Sequence, residues 1–315
     1  MNGYPTVSDA KRYARELQRD KQFEPDIERF DARSQMKVYG LNFLTVLSFV
    51  AFVLAKQPLW LVLPLICLNG ALTLPYLRVF IHSEAHWGLA KGRIGRLYMR
   101  YIAYSFYHIP FEAYRVGHFA HHQYDNDAPG DGESLSRDRQ STYLYSREGI
   151  PVRFGIWALY YLFVYQFVNQ VSMVVRRSRK QELWEMAAQT VVIMALDLAM
   201  ILISWKFFVL IFIPSLAVAW IGSAIVLYMM HNVKLTDARY HHSVNSCSRF
   251  FNSFGDNVGM HIVHSLAPSL HPYHQARVNK LVEANLHPSQ TVGRHYVIAF
   301  FADLLFKKKS SALSA

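Results

Sequence analysis

The side chains in this sequence that can carry chemistry are histidines, and they fall in short runs. His82-Ser-Glu-Ala-His86 sets two imidazoles four residues apart, and His118-Phe-Ala-His121-His122 brings three together. His231 follows a long apolar stretch, and His261-Ile-Val-His264-Ser265 sets two more at a spacing of three. Residues three or four apart on a helix share a face, so each run can turn its imidazoles toward one point. Neutral imidazole ligates iron, copper, zinc and nickel. Eight such groups are too many for one four-coordinate zinc, and the number suits two metal ions sharing a site. Rival metal signatures do not occur: there is no HExxH pair, no Glu-x-x-His pair of a soluble di-iron bundle and no CxxC. A single HxxxH pair arises often by chance, and a histidine-rich basic surface can be a solvated face beside anionic headgroups. Three runs at ligand spacing, each just beyond an apolar stretch, argue for a metal site instead.

The composition says what must hold these runs in place. Of 315 residues, 52% are hydrophobic and only 17% charged, with a net charge of +11, whereas soluble domains carry about 25% charge. A disordered or fibrous chain is excluded, and a mean hydropathy of only +0.08 argues against a chain nearly all embedded in lipid. The two cysteines, Cys67 and Cys247, form no disulfide framework. The first residues lack the apolar run of a cleavable signal peptide, so insertion into a membrane falls to internal segments.

Val38–Ala55 is uncharged throughout, and Pro58–Ile81 carries only Arg78, near its end. Each is long enough to cross about 30 Å of hydrocarbon at about 1.5 Å per residue, and the link Lys56-Gln57 makes them a hairpin. Leu183–Trp205 and Phe207–Met230 form a second hairpin with Lys206 at its tip. The stretch 152–175 is apolar and aromatic but interrupted by Arg153, Gln166, Asn169 and Gln170, which suits an interfacial helix better than a span. The sequence thus predicts an all-α integral membrane protein: four transmembrane helices in two hairpins, with a cytosolic helical cap carrying the histidines. It reads as one domain over 1–315, made of a polar N-terminal arm (1–37), hairpins at 38–81 and 183–230, and a cap from 82–182 and 231–315. In the arm, Ser8 or Asp9 is the expected cap of a helix running toward Phe23. Every Lys and Arg except Lys56 and Lys206 lies on the side of the termini and histidines, so the positive-inside rule puts both termini in the cytoplasm.

On these runs, from about Val38 to Asn285, the sequence resembles the membrane fatty acid desaturase and hydroxylase superfamily of histidine-box, non-haem di-iron enzymes. His82 and His86 with Trp87-Gly88 are similar to its first box. Pro110 to Asn126, containing His118, His121 and His122, is similar to the second, and His261 to Tyr273, containing His264, to the third. His231 matches an additional metal-binding histidine between the second and third boxes. The resemblance implies a metal set of His82, His86, His118, His121, His122, His231, His261 and His264, holding two Fe ions with O2 as co-substrate. It departs from the family at Ser265, where the third box ends in histidine. His241, His242, His271 or His274 would be the candidates to fold in and replace it.

The implied activity is O2-dependent desaturation of a fatty acyl chain or similar long hydrophobic lipid. The alternatives are hydroxylation or ketolation of an acyl chain, alkane or carotenoid, and a non-catalytic metal- or lipid-binding relative. The implied partners are the bilayer, that substrate and a separate electron carrier (ferredoxin, rubredoxin or cytochrome b5), for which the basic cytosolic face favours an acidic protein. Nothing in the motifs reads nucleic acid.

Other polar residues have milder readings. Glu84, Asp125, Asn126, Asp127, Asp256 and Asn257 are candidates to accept from the ligand imidazoles. Asp197, inside an apolar segment, reads as a polar contact within the helix bundle. His108 reads as structural, and His287 and His295 as surface residues. Arg176 to Lys180 reads as an anchor at the membrane surface or a docking patch.

Overall fold

The computed structural model describes residues 5–124, 150–169, 174–176 and 178–306. It is 79% helical, and strand is confined among the described residues to a two-residue parallel pairing of Asn245–Ser246 with Thr291–Val292. The first helix, α1 (Val7–Arg19), is capped by Thr6, with Asp9 as its reciprocal partner, rather than by Ser8 or Asp9 itself. Three helices are long and apolar enough to cross a membrane: α2 (Lys21–Leu54), α3 (Leu59–Trp87) and α7 (Lys180–His231). Between them lie α4 (Arg93–Tyr98), α5 (Phe111–Tyr124) and α6 (Phe154–Leu159), the last continued by π-helical turns to Asn169. After them come α8 (Arg249–Phe254), α9 (His261–Leu266), α10 (Pro272–Val282) and α11 (Tyr296–Phe306).

The polar residues from Lys21 onward are not a separate arm element but the first turns of α2. Pro25 sits in the opening turn, where its missing N–H is harmless, and no further proline interrupts the helix. At the far end of α2 the chain reverses within a few residues. Lys56 and Gln57 both take the left-handed conformation, at φ 61° and 60°, and the Gln57 amide donates to Phe52 O at 2.8 Å. The long helix α7 is not straight. Ser204 leaves helical geometry (φ −156°, ψ 87°), and its hydroxyl accepts from the Phe207 amide at 3.2 Å, restarting the helix as an N-cap does. Asp197 before the bend and Phe212 after it both reach His108, so the two arms face the same segment.

An apolar cluster of Phe52, Leu65, Met200, Phe207, Ile211 and Phe212 ties the α2–α3 turn to the α7 bend. These two turns therefore lie at one end of the molecule. Polar groups between α2 and α3 are paired: Asn69 Nδ2 donates to Ser48 Oγ at 2.9 Å, and Thr73 Oγ1 donates to Asn69 Oδ1 at 3.2 Å. α3 also approaches the second arm of α7 closely. A Cβ on Gly70 would meet Ser215 O and Val218 Cβ at 2.9 Å, the close backbone contact that small residues permit between apolar helices.

At the other end, α6 buries Trp157 against Tyr228 and Tyr161 while leaving Ile156, Leu159 and Phe163 exposed. The sequence reads the region after His231 as polar with amphipathic pieces. Within it, however, α11 is an apolar helix, joined to α6 through Phe154 and Phe300, 4.6 Å between ring centres.

One ion pair fastens α2 to the turn before α9. Lys37 Nζ donates to Asp256 Oδ1 at 2.8 Å and to the Ser253 and Phe254 carbonyls at 3.0 Å. The Asp256 side chain is only 1% exposed, and burial raises its carboxyl pKa. Lys37→Met leaves this carboxylate buried without its cation, a loss of about 3–5 kcal/mol. Thermal unfolding in detergent should show a clear drop in midpoint for Lys37→Met and recovery of most of it in Lys37→Met with Asp256→Asn.

Candidate metal centre

The histidines sit on four helices, and local contacts fix three of them. α3 stops directly after His86 and Trp87 because Gly88 takes the left-handed conformation (φ 65°), the usual glycine stop. α5 is held at its start by the Glu112 amide donating to Gln189 Oε1 at 3.0 Å. Arg115 bridges Glu112 and Glu182 at 2.6 and 2.7 Å, so α5 is strapped to α7 on the turns before His118. His231 is the last residue of α7. α9 is buried along its whole length, and its Ile262 amide donates to Asn245 Oδ1 at 2.9 Å.

These anchors gather all eight sequence-predicted histidines into two groups. Ring nitrogens of His82, His86, His118, His122 and His264 all lie within 4.8 Å of one another, as do those of His121, His231 and His261. In the larger group the Nε2 atoms are 2.7 Å apart for His86 and His118, 3.0 Å for His82 and His264, and 3.0 Å for His122 and His118. In the smaller group His261 and His231 Nε2 are 3.2 Å apart. The groups adjoin: His261 and His264 share α9 with ring centres 5.8 Å apart, and His118 and His121 share α5 at 5.9 Å.

Hydrogen bonding alone does not satisfy this arrangement. His122 Nε2 has three nitrogen neighbours, His86 at 3.2 Å, His118 at 3.0 Å and His264 at 2.9 Å. One imidazole nitrogen either donates one proton or accepts through one lone pair, so it cannot serve all three. A cation at the centre serves them together, and nitrogens at right angles about 2.1 Å from a metal are about 3.0 Å apart. Burial, reinforced by the neighbouring imidazoles, holds the pKa values of His118 and His264 well below the ordinary range. They therefore stay neutral with lone pairs available, and both groups can hold a metal ion.

The replacement candidates for Ser265 lie elsewhere. His271 Nε2 is 2.9 Å from Asp31 Oδ1, His241 and His242 stack on each other at 4.4 Å, and His274 lies edge-on to Phe23 at 5.0 Å. Burial lowers the His274 pKa to about 4. Ser265 is itself buried and stands four residues after His261, on the same side of α9. An imidazole at position 265 would therefore share the helix face of His261, a member of the three-histidine group.

The proposed acceptors have other partners. Glu84 Oε2 accepts from the Ala90 amide at 3.3 Å, Asp256 pairs with Lys37, and Asn257 donates to Pro272 O at 2.9 Å. Asp125, Asn126 and Asp127 lie outside the described residues. Asp197 meets His108 at 2.9 Å, the polar contact that its sequence context implies. His287 caps a local turn, accepting from the Ser289 amide. His295 is not a surface residue: it packs edge-on against Phe251 at 4.5 Å and lines a cavity. Spacing gave no hint of this, because the fold of the 244–296 segment turns that side chain inward.

That cavity is the feature that spacing alone does not reveal. It has a volume of about 520 Å³, inside the range of about 300–1,000 Å³ typical of sites that enclose a small molecule. His82, His118, His121 and His261 line it together with Gly70, Gly222 and many apolar side chains. Trp87 covers the five-histidine group on another side, 4.9 Å from His86 and 5.9 Å from His264, with its indole N–H donating to Ser269 O.

Residues 58–296 match the family model of the fatty acid desaturases. No curated protein and no solved structure matches the chain. Space is open around the position of a Cβ on Gly222, so Gly222→Phe should fill the apolar part of the cavity without moving a helix. In lipid nanodiscs the variant should keep its unfolding midpoint and lose at least about tenfold in binding of a spin-labelled alkyl chain, read by electron paramagnetic resonance.

Proposed function

From the premise that the chain belongs to the fatty acid desaturase family, we propose that it is an O2-dependent di-iron desaturase. Its substrate is a fatty acyl chain or similar long hydrophobic lipid. The observation that carries this reading is the pair of adjoining imidazole groups, four of whose members line a largely apolar cavity. His82, His86, His118, His122 and His264 would hold one iron, and His121, His231 and His261 the other. When bound, two irons supply the O2-derived oxidant that an unactivated C–H bond requires and that amino acid side chains lack.

The protein's own contribution is positioning and exclusion of water. His118 and His264, held neutral by burial, offer lone pairs without carrying protons into the site. Tyr114 stacks on His118, 5.3 Å away and nearly parallel, which fixes that ring's orientation. The apolar wall from Gly70 to Gly222 takes the hydrocarbon and keeps water from the reacting carbon.

In this reading the protein is a single multi-pass membrane domain. α2 with α3, and the two arms of α7, form two hairpins and four spans. Both termini and the histidines lie on the cytoplasmic side, which is supported by the basic residues gathered there. Electrons come from a separate carrier, and the net charge of +11 favours an acidic one. Ser265 supports a second reading. An iron held by only the three imidazoles of His121, His231 and His261 would leave room for oxygen transfer to the substrate, and hence for hydroxylation as well as desaturation.

Two measurements test this. Metal analysis of the purified protein should give two irons per chain, with His122→Ala and His231→Ala each losing one, and Ser265→His holding the second iron more tightly against a chelator. Chains that hold no iron would overturn the reading. Mass spectrometry of host lipids should show O2-dependent products lighter by two hydrogens, while products that gain an oxygen atom would establish the hydroxylase instead.

A further inference from the structure

We propose that Arg78 binds an anionic oxygen group of the substrate, in its simplest form a carboxylate, so that the carbon presented to the metal centre lies near the acid end. The inference rests on the cavity being the substrate site, as argued above. Arg78 stands four residues before His82 in α3, so the two share a helix face about 6 Å apart along the axis. Both line the same cavity.

The surroundings of Arg78 are aromatic rather than acidic. Its guanidinium lies over the Tyr114 ring at 4.1 Å and donates a hydrogen bond to Tyr161. Tyr107 is committed to Ser223, donating to its hydroxyl at 2.7 Å. No carboxylate among the described residues lies within ion-pair distance of Arg78. The buried acids of the region already have partners: Glu112 has Arg115, Asp31 has His271, Asp256 has Lys37, and Glu84 accepts from a backbone amide.

A guanidinium has five N–H donors, and an unpaired charge in an apolar site is strongly disfavoured. A carboxylate takes two parallel hydrogen bonds from an arginine, which would complete this one. The apolar tail then runs toward Gly70 and Gly222, and the acid end stays within about one helical turn of His82. An alkane or carotene has nothing to offer Arg78. An acyl group on a large carrier would leave its polar end outside the cavity.

The test uses the full chain in phosphatidylcholine nanodiscs with two probes, a spin-labelled stearic acid and its methyl ester, at a pH where the acid is ionised. The motionally restricted fraction in paramagnetic resonance reads binding. The wild type should prefer acid to ester by at least about tenfold, the scale of a charged hydrogen bond. Arg78→Met should bind both alike, and Arg78→Lys should keep part of the preference. A wild type that binds acid and ester equally overturns the proposal, whether or not the variants fold, and so does an Arg78→Met protein that still prefers the acid. Iron content is measured on the same samples: acid preference without iron leaves this inference standing and removes the di-iron reading, and iron without preference does the reverse.

Discussion

Ring nitrogens that converge on one point in threes and more cannot all be satisfied by hydrogen bonds among themselves, and that constraint organises this protein. A five-histidine group and a three-histidine group adjoin in one largely buried layer, supplied by four helices. Three of these are held by interactions that do not involve the imidazoles: Gly88 stops α3, Gln189 and Arg115 hold α5, and Asn245 seats α9. The scaffold thus places the imidazole nitrogens through contacts of its own, which is what a preorganised site requires.

The remainder of the fold is arranged around that layer. The tight turn at Lys56–Gln57 and the bend at Ser204 lie together at the opposite end, joined by one aromatic and aliphatic cluster. The long helices between the two ends enclose the cavity. Where they come closest, at Gly70, the contact leaves no room for a side chain. A few residues past Ser215 and Val218 on the facing helix α7, Gly222 leaves space that the cavity uses. Close approach and open volume thus arise from the same choice of small residues.

The gathering of the eight histidines was legible in the sequence because their spacing follows the helical turn. His82 with His86 and His118 with His122 are each one turn apart, and a helix of any tertiary fate puts each pair on one face. The spacing also made Ser265 visible as a departure. It did not say which group lost its ligand, because that depends on how α9 is rolled between His261 and His264. The long helices were legible as apolar runs, whereas the apolar character of α11 was hidden by its short length. The bend in α7 left only a serine as its signal, and a serine hydroxyl that caps a restarted helix looks like any other polar residue in a span. Arg78 had the spacing of a cavity residue, four before His82. That no described carboxylate pairs with it is a tertiary fact, readable only once Glu84, Glu112 and Asp256 are seen to be engaged elsewhere.

The central claim is that the two imidazole groups each enclose one iron. Anomalous diffraction at the iron absorption edge from crystals of the iron-loaded protein tests it without reference to substrate or product. The account predicts two peaks, one among His82, His86, His118, His122 and His264 and one beside His121, His231 and His261. A single peak, or iron located away from these residues, would contradict it.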